Sequence, residues 1–554
     1  MDVMPQQDPE SRQPPEPSPQ DPYVLPAEGA TAVPLPPPTV RTTLRRAAFG
    51  AVAAGVLLAG ALVAVPGGED DGPKEPGPVE RAEAATTAGS PASLSDLTAL
   101  IGDRQKWVES HPKDAPSLAT LGTAYVEWAR RSADTAYYAR AEQALKRSLD
   151  AQPGERGNGE AWVGLAALAN ARHDFLAAKR WGETVKAQQP KTWSVYPVLI
   201  DAYTGLGDQK AATAATERFG ELRKGVPALA RTAELYRGQG WREDALATAR
   251  EAADLATQPA EKAEALHRLG ELAWERGEPQ EAVAQFDAAL RTDAGHHASL
   301  AGRARALVAL DRAEEASAAY QSALEQLPRP EYALELGELY ESLGLDGDAR
   351  TQYAELRRMV AEAKRAGGDE SLLLARFEAD HGDPDTAVEL LRGQWREQHR
   401  SAAVADALGW ALHRAGKSKE GLGYAERAVG TGVRNASYAY HLGVIQRELA
   451  DYGPARRHLE EALRTNPAFS PLAAPLAQEA LDALGEPPPG GPGDMEPPPP
   501  PPAPEPKPKQ ETKPEQETKP EAPAPSKSAP APSKSPAAPS KAAASGPAEA
   551  SKSP

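Results

Sequence analysis

Several short patterns in this 554-residue chain have residue types and spacings that suit chemistry. Ala411-Leu412-His413-Arg414-Ala415-Gly416-Lys417-Ser418 ends like a phosphate-binding loop, with Ala in place of the first glycine. A working loop of that kind follows a strand, and its glycines let backbone amides wrap the phosphates. Ser110-His111-Pro112-Lys113 has the S-x-x-K spacing of some acyl-transferring serines. That chemistry needs Ser and Lys on one helical face, and Pro112 stops the helix that would place them there. His296-His297 offers two imidazoles to a metal, but no third ligand stands at helical spacing. Asp346-Gly347-Asp348 and Asp383-Pro384-Asp385 pair carboxylates in a composition that turn chemistry explains. The chain has no cysteine, so a thiol nucleophile, a zinc–thiolate site and an iron–sulfur cluster are excluded. The reading is of a protein that is not an enzyme, with no catalytic, cofactor or metal site.

The elements that would position any site lie in the middle of the chain. Of 55 prolines, 15 fall in residues 94–485 and 40 in the remaining 162 residues. Each proline removes a backbone donor and fixes φ, so the flanks cannot build a core. All nine tryptophans lie in the middle. The net charge of −17 leaves about −10 on the middle, which argues against a nucleic-acid binder.

Residues 47–65 (AAFGAVAAGVLLAGALVAV) carry no charged or polar side chain. Nineteen residues at 1.5 Å rise make about 28 Å of helix, close to the roughly 30 Å hydrocarbon core of a bilayer. Arg41, Arg45 and Arg46 precede the run, and Glu69, Asp70 and Asp71 follow it. The positive-inside rule keeps residues 1–46 cytoplasmic and puts everything after the span outside. A cleaved signal peptide, a twin-arginine export signal and a buried core helix are the competing readings. Whether the segment is cleaved stays open.

A period runs through the middle. Residues 266–290 include Leu266, Leu269, Gly270, Ala273, Gly277, Ala282, Phe286 and Ala289. The same register recurs with Leu118, Leu121, Gly122 and Tyr125, and with Trp162, Leu165, Ala166 and Ala178. It recurs again with Leu336, Gly337, Tyr340 and Gly344, and with Leu442, Gly443, Ala455 and Leu459. Pro153, Pro190, Pro328 and Pro467 close four of the units. The spacing is mostly 33–34 residues, stretching to 37 and 38 after units 4 and 7. The first unit carries about seven extra residues, expected in its helix–helix turn. Ten such units resemble the tetratricopeptide repeat, a helix–turn–helix module. Alanine- and arginine-rich usage, with 36 Arg against 12 Lys in the middle, resembles high-GC actinobacterial members.

The resemblance implies an all-α right-handed superhelical solenoid of about ten repeats over 114–471. One hairpin cannot bury its own apolar face, so neighbours stack and the ends need caps. Residues 94–113 read as an entering capping helix and 472–485 as a leaving one. Residues 66–93 read as an acidic flexible linker, and 486–554 as a disordered Pro-rich tail with tandem QETKPE and APAPSKS copies. The tail is an extended spacer suited to contact with cell-wall polymer.

The resemblance also implies protein or peptide ligands on the concave face, lined by the first helix of each repeat. The expected groove residues are His267 and Trp274 in repeat 5, Trp410, His413 and Arg414 in repeat 9, and Tyr440 and Arg447 in repeat 10. Aromatics beside charges make anchors for a partner. The Lys/Asn/Arg clamp of the chaperone-binding members has no match here. The phosphate-loop pattern falls inside the first helix of repeat 9. The function read from this is a membrane-anchored scaffold for protein–protein interaction at the cell envelope, single-pass, with its repeats extracytoplasmic. The alternatives are a cytoplasmic-facing regulatory scaffold and an enzyme with its site in the groove.

Overall fold

The computed structural model describes residues 76–153 and 158–485, all within the unit Glu75–Pro554. The stretches 1–46, 47–65 and 486–554 lie outside the described residues. Among the described residues, no helix is long and apolar enough to cross a membrane.

The chain enters through α1 (Pro78–Ala88) and α2 (Leu94–Ser110). Ten hairpins follow: α3 (Ala115–Ser132) with α4 (Ala136–Ala151), α5 (Gly159–Ala171) with α6 (Phe175–Gln188), α7 (Val195–Leu206) with α8 (Gln209–Leu222), α9 (Val226–Gly238) with α10 (Arg242–Leu255), α11 (Pro259–Glu275) with α12 (Pro279–Thr292), α13 (His297–Val308) with α14 (Ala313–Gln326), α15 (Pro330–Ser342) with α16 (Asp346–Arg365), α17 (Ser371–His381) with α18 (Pro384–Arg396), α19 (Ala402–Arg414) with α20 (Ser418–Val429), and α21 (Ala436–Glu448) with α22 (Tyr452–Thr465). The last helix is α23 (Ala473–Asp482). No strand occurs among the described residues. The described residues form an all-α helical-repeat solenoid.

Small residues let the hairpins close. Phe286 on α12 is fully buried between two glycines. A Cβ on Gly270 of the same repeat, or on Gly302 of the next, would come within 2.5 Å of its ring. Polar residues set the boundaries. Asp174 and Asp208 cap α6 and α8 by accepting from the Ala177 and Ala211 amides. Asp383 caps α18 through the Asp385 and Thr386 amides, so this carboxylate serves a turn.

Two features differ from the sequence reading. Residues 78–88 of the expected linker are helical. Pro78 opens α1, Gly89 ends it in the left-handed region, and Ala82 and Ala88 are buried. Arg81–Asp96 at 2.7 Å and Arg104–Glu83 at 3.0 Å tie α1 to α2. The extra residues of the first repeat lengthen its helices, and its turn is only residues 133–135. The stretched spacings lie within helices: α11 has 17 residues and α16 has 20.

The solenoid also touches itself one superhelical turn later. The Asp369 amide donates to the Arg172 carbonyl at 3.0 Å, and the Arg400 amide to the Leu206 carbonyl at 3.2 Å. Arg242 donates to the Arg434 carbonyl at 3.2 Å. Asn466 donates to the Trp274 carbonyl at 2.9 Å, 192 residues away in sequence. These contacts join the turns of repeats 2–5 to the loops that follow repeats 7–10. They form a seam that closes the side of the solenoid.

Candidate functional site

The first helices of successive repeats line the inner face. Complementary side chains pair from one repeat to the next. Glu271 on α11 takes both guanidinium arms of Arg305 on α13, at 3.0 and 3.2 Å. Glu234 on α9 pairs with Arg268 on α11 at 3.1 Å, and Arg237 with Glu275 at 2.5 Å. Asp201 on α7 pairs with Arg231 on α9. Arg305 continues the chain to Glu335 on α15 at 3.4 Å. The recurring offset is one repeat, because equivalent positions of successive first helices stand side by side.

Burial and pairing tune these groups. Glu234 is desolvated, which opposes ionisation, yet Arg237 and Arg268 hold its carboxyl down at about 2. Burial pushes the Glu335 carboxyl up to about 7 against the pull of Arg305. Burial lowers His267 to about 4, so its imidazole is neutral near pH 7.

Two adjoining cavities, of about 880 and about 1040 Å³, lie along this inner face. Asp201, Arg231, Glu264, His267 and Ala298 line both. Seam residues Arg400 and Arg434 form part of the wall of the larger one. The two cavities are thus lined by the first helices of repeats 1–7 and by loops from one turn later.

The expected groove residues divide into two groups. His267 lines both cavities. Trp274, on the same helix, is buried in a core with Phe286 and Ala306. Trp410 and Tyr440 are 6% and 4% exposed and pack in the core of repeats 8–10, so they hold these repeats together. Trp410 also donates its indole N–H to Asp380 at 2.9 Å. His413 bonds the Ser418 hydroxyl at 3.0 Å, and the Arg414 guanidinium stands 5.8 Å over the Trp410 ring. Arg447 is exposed.

The other candidate motifs fall to local structure. Ala411–Arg414 lie in α19, and Gly416 is the turn that follows it. Ser110 ends α2 and donates to the Trp107 carbonyl at 3.0 Å. The His296–His297 pair gains a neighbour: His267 stands 5.3 Å from His296 between ring centres. Even so, no group of three His, Cys, Asp or Glu among the described residues is arranged to hold a metal ion. His296 instead pairs with Glu264 at 3.4 Å, and His297 bonds the Tyr332 hydroxyl at 2.7 Å.

The repeat geometry around α11–α15 is matched independently. Residues 273–339 match the family model described as tetratricopeptide repeat. That segment carries the tetratricopeptide repeat. Among solved structures it is similar to the APC/C hetero-tetramer Cut9–Hcn1, at 14% identity over 74% of this chain and 85% of that one, with a TM-score of 0.38. It is similar to yeast Tom70, at 15% identity over 73% and 89%, with a TM-score of 0.31. A tetratricopeptide repeat protein from Parabacteroides merdae gives 18% identity over 47% and 99%, with a TM-score of 0.29. At these scores the likenesses carry no functional argument. No curated protein matches the sequence.

The complementary charges stand in the sequence at intervals of one repeat. Glu234 with Arg268 and Glu271 with Arg305 are both 34 residues apart. That offset was a usable signal which reasoning from single motifs passed over. The seam had no comparable signal.

Proposed function

We propose that this protein is a scaffold that takes an extended segment of a partner protein into the cavities of its inner face. The observation that carries the reading is the pair of adjoining cavities lined by first helices of successive repeats. Their volumes are in or slightly above the range of built ligand sites. Ala298 lines both cavities, so Ala298→Trp puts a bulky ring where they adjoin and obstructs passage between them. Affinity capture with the full chain and with this variant tests the reading. Recovery of the same proteins by both forms refutes it.

The scaffold is further proposed to sit at the cell envelope. The apolar run 47–65 with its arginine flank supports a single-pass anchor with a cytoplasmic N-terminus and extracytoplasmic repeats. The tail 486–554 then reaches toward cell-wall polymer. Alanine- and arginine-rich usage supports a high-GC actinobacterial setting. Protease added to intact, wall-stripped cells should digest the repeats. Full protection assigns them to the cytoplasm instead.

A further inference from the structure

The entering hairpin leads into the cavities. Its elbow, Gly89-Ser90-Pro91, rests against repeats far along the chain. A Cβ on Gly89 would lie 3.0 Å from the Pro197 side chain on α7 and 3.7 Å from the Arg231 guanidinium on α9. Ser90 and Glu261 of α11 line one small cavity together. Ser90 is 9% exposed, and its neighbours Ala88 and Ala92 are buried. The elbow lines the 880 Å³ cavity and a second one of about 280 Å³ beside it. A helix that only capped the first repeat would stop at α3. This elbow reaches three further first helices.

Its chemistry contrasts with that of the wall. The wall includes carboxylates and guanidiniums paired among themselves, and a charged segment entering it must break those pairs at a desolvation cost. The elbow stretch Thr86-Thr87-Ala88-Gly89-Ser90-Pro91 is uncharged. It is small, and its only polar side chains are hydroxyls. The 11-residue α1 is tied down by two ion pairs, Arg81–Asp96 and Arg104–Glu83, each partly exposed to solvent. Terminal elements held in this way open at lower free energy than the array as a whole.

We propose that the α1–α2 elbow is an internal occupant of the binding face, holding the place of a partner segment. That segment is extended, uncharged and built from Ala, Gly, Ser, Thr and Pro. This inference rests on the inner face being the binding site, as proposed above. Elbow and partner exclude each other, so release of α1 controls access.

The test uses the full chain and a fluorescein-labelled peptide, Ala-Thr-Thr-Ala-Gly-Ser-Pro-Ala-Ser, copying residues 85–93. Gly89→Val puts a branched side chain at a φ of 64° against Pro197 and expels the elbow. By fluorescence anisotropy the peptide should bind this variant about tenfold more tightly than wild type, because the closed state no longer competes. Equal binding to both proteins, or binding to neither, overturns the internal occupant. A second peptide with Glu-Lys in place of Ser-Pro should bind about tenfold more weakly than the first. Equal affinity overturns the chemical class. Hydrogen exchange of wild type gives an answer even if the variant does not fold. Amides of 79–97 should exchange about tenfold or more faster than those of α3, and exchange of the two segments as one unit overturns a releasable elbow. If Ala298→Trp abolishes partner capture while the peptide binds neither protein, the inner-face reading stands and only this inference falls.

Discussion

Asn466 donates its side-chain amide to the backbone carbonyl of Trp274 at 2.9 Å, across 192 residues of sequence. The same side chain accepts from the Ala468 amide at 3.0 Å, so it also shapes its own loop. The two residues lie one superhelical turn apart, and both are buried. Asn466→Ala leaves the Trp274 carbonyl buried without that partner. It should cost about 1–3 kcal/mol in urea denaturation. Opening of the seam should also raise the radius of gyration in small-angle scattering. An unchanged unfolding midpoint with unchanged scattering would remove the seam as a stabilising feature.

The turn glycines separate seam from turn. Gly207 and Gly416 occupy equivalent turns, with φ of 74° and 72°. A Cβ on Gly416 meets nothing within 4 Å, whereas one on Gly207 would lie 2.5 Å from the Arg400 carbonyl oxygen. Gly416→Ala should therefore cost about 1 kcal/mol, from backbone conformation alone. Gly207→Ala should cost at least about 1 kcal/mol more, as in other overpacked sites. Equal costs, measured side by side by denaturation, would mean that the seam yields freely.

Glu335 gives the ladder a pH signature. Its carboxyl is pushed up to about 7 by burial, while an unfolded Glu ionises near 4.3. Between those values the unfolded chain has released a proton that the folded chain keeps. The contribution of this group to stability therefore falls as pH rises from about 4.5 to about 7. Glu335→Gln removes that dependence. The variant should gain on wild type across this window by at most about 3 kcal/mol, since each tenfold difference in proton affinity between the folded and unfolded chain is worth about 1.4 kcal/mol. Unfolding midpoints at both ends of the window check it, and a constant difference between the two proteins contradicts the assignment.

Trp410 and Arg447 test packing against recognition. Trp410 is buried in the core of repeats 8–10, and Arg447 is exposed. Trp410→Ala should destabilise these repeats by about 3–5 kcal/mol. Arg447→Ala should change stability by no more than about 0.5 kcal/mol. Hydrogen exchange resolves the effect by repeat, because repeat arrays lose stability locally. If Trp410→Ala leaves exchange in α19–α21 unaltered, the packing role of this ring is wrong.

Much of this molecule was legible before folding was considered. The helical hairpins follow from a local period: Leu269 and Gly270 on one helix, Ala282 and Phe286 on the next, and Gly277 between them. Each of these choices acts over a few residues, so the linear order of the chain displays it. The candidate site was legible only in part. His267 lines both cavities, because its position in the repeat sets its direction. Trp274, Trp410 and Tyr440 share that kind of position but are buried, because bulky rings at inward positions pack into the neighbouring repeat. The helix at Pro78–Ala88 was hidden by an acidic, proline-flanked composition. Its alanines become informative only when α2 and α3 supply a surface to bury them.

The sequence alone determined the repeat unit, its approximate number of copies and the absence of thiol chemistry. These depend on residue type and on short spacings. The tertiary structure decided the seam, the inner-face cavities and the elbow seated among repeats 3–5. Each depends on a small rotation per repeat, summed over roughly six repeats until residues about 190 apart in sequence meet. No single repeat encodes that sum, which becomes fixed only when all the interfaces have packed.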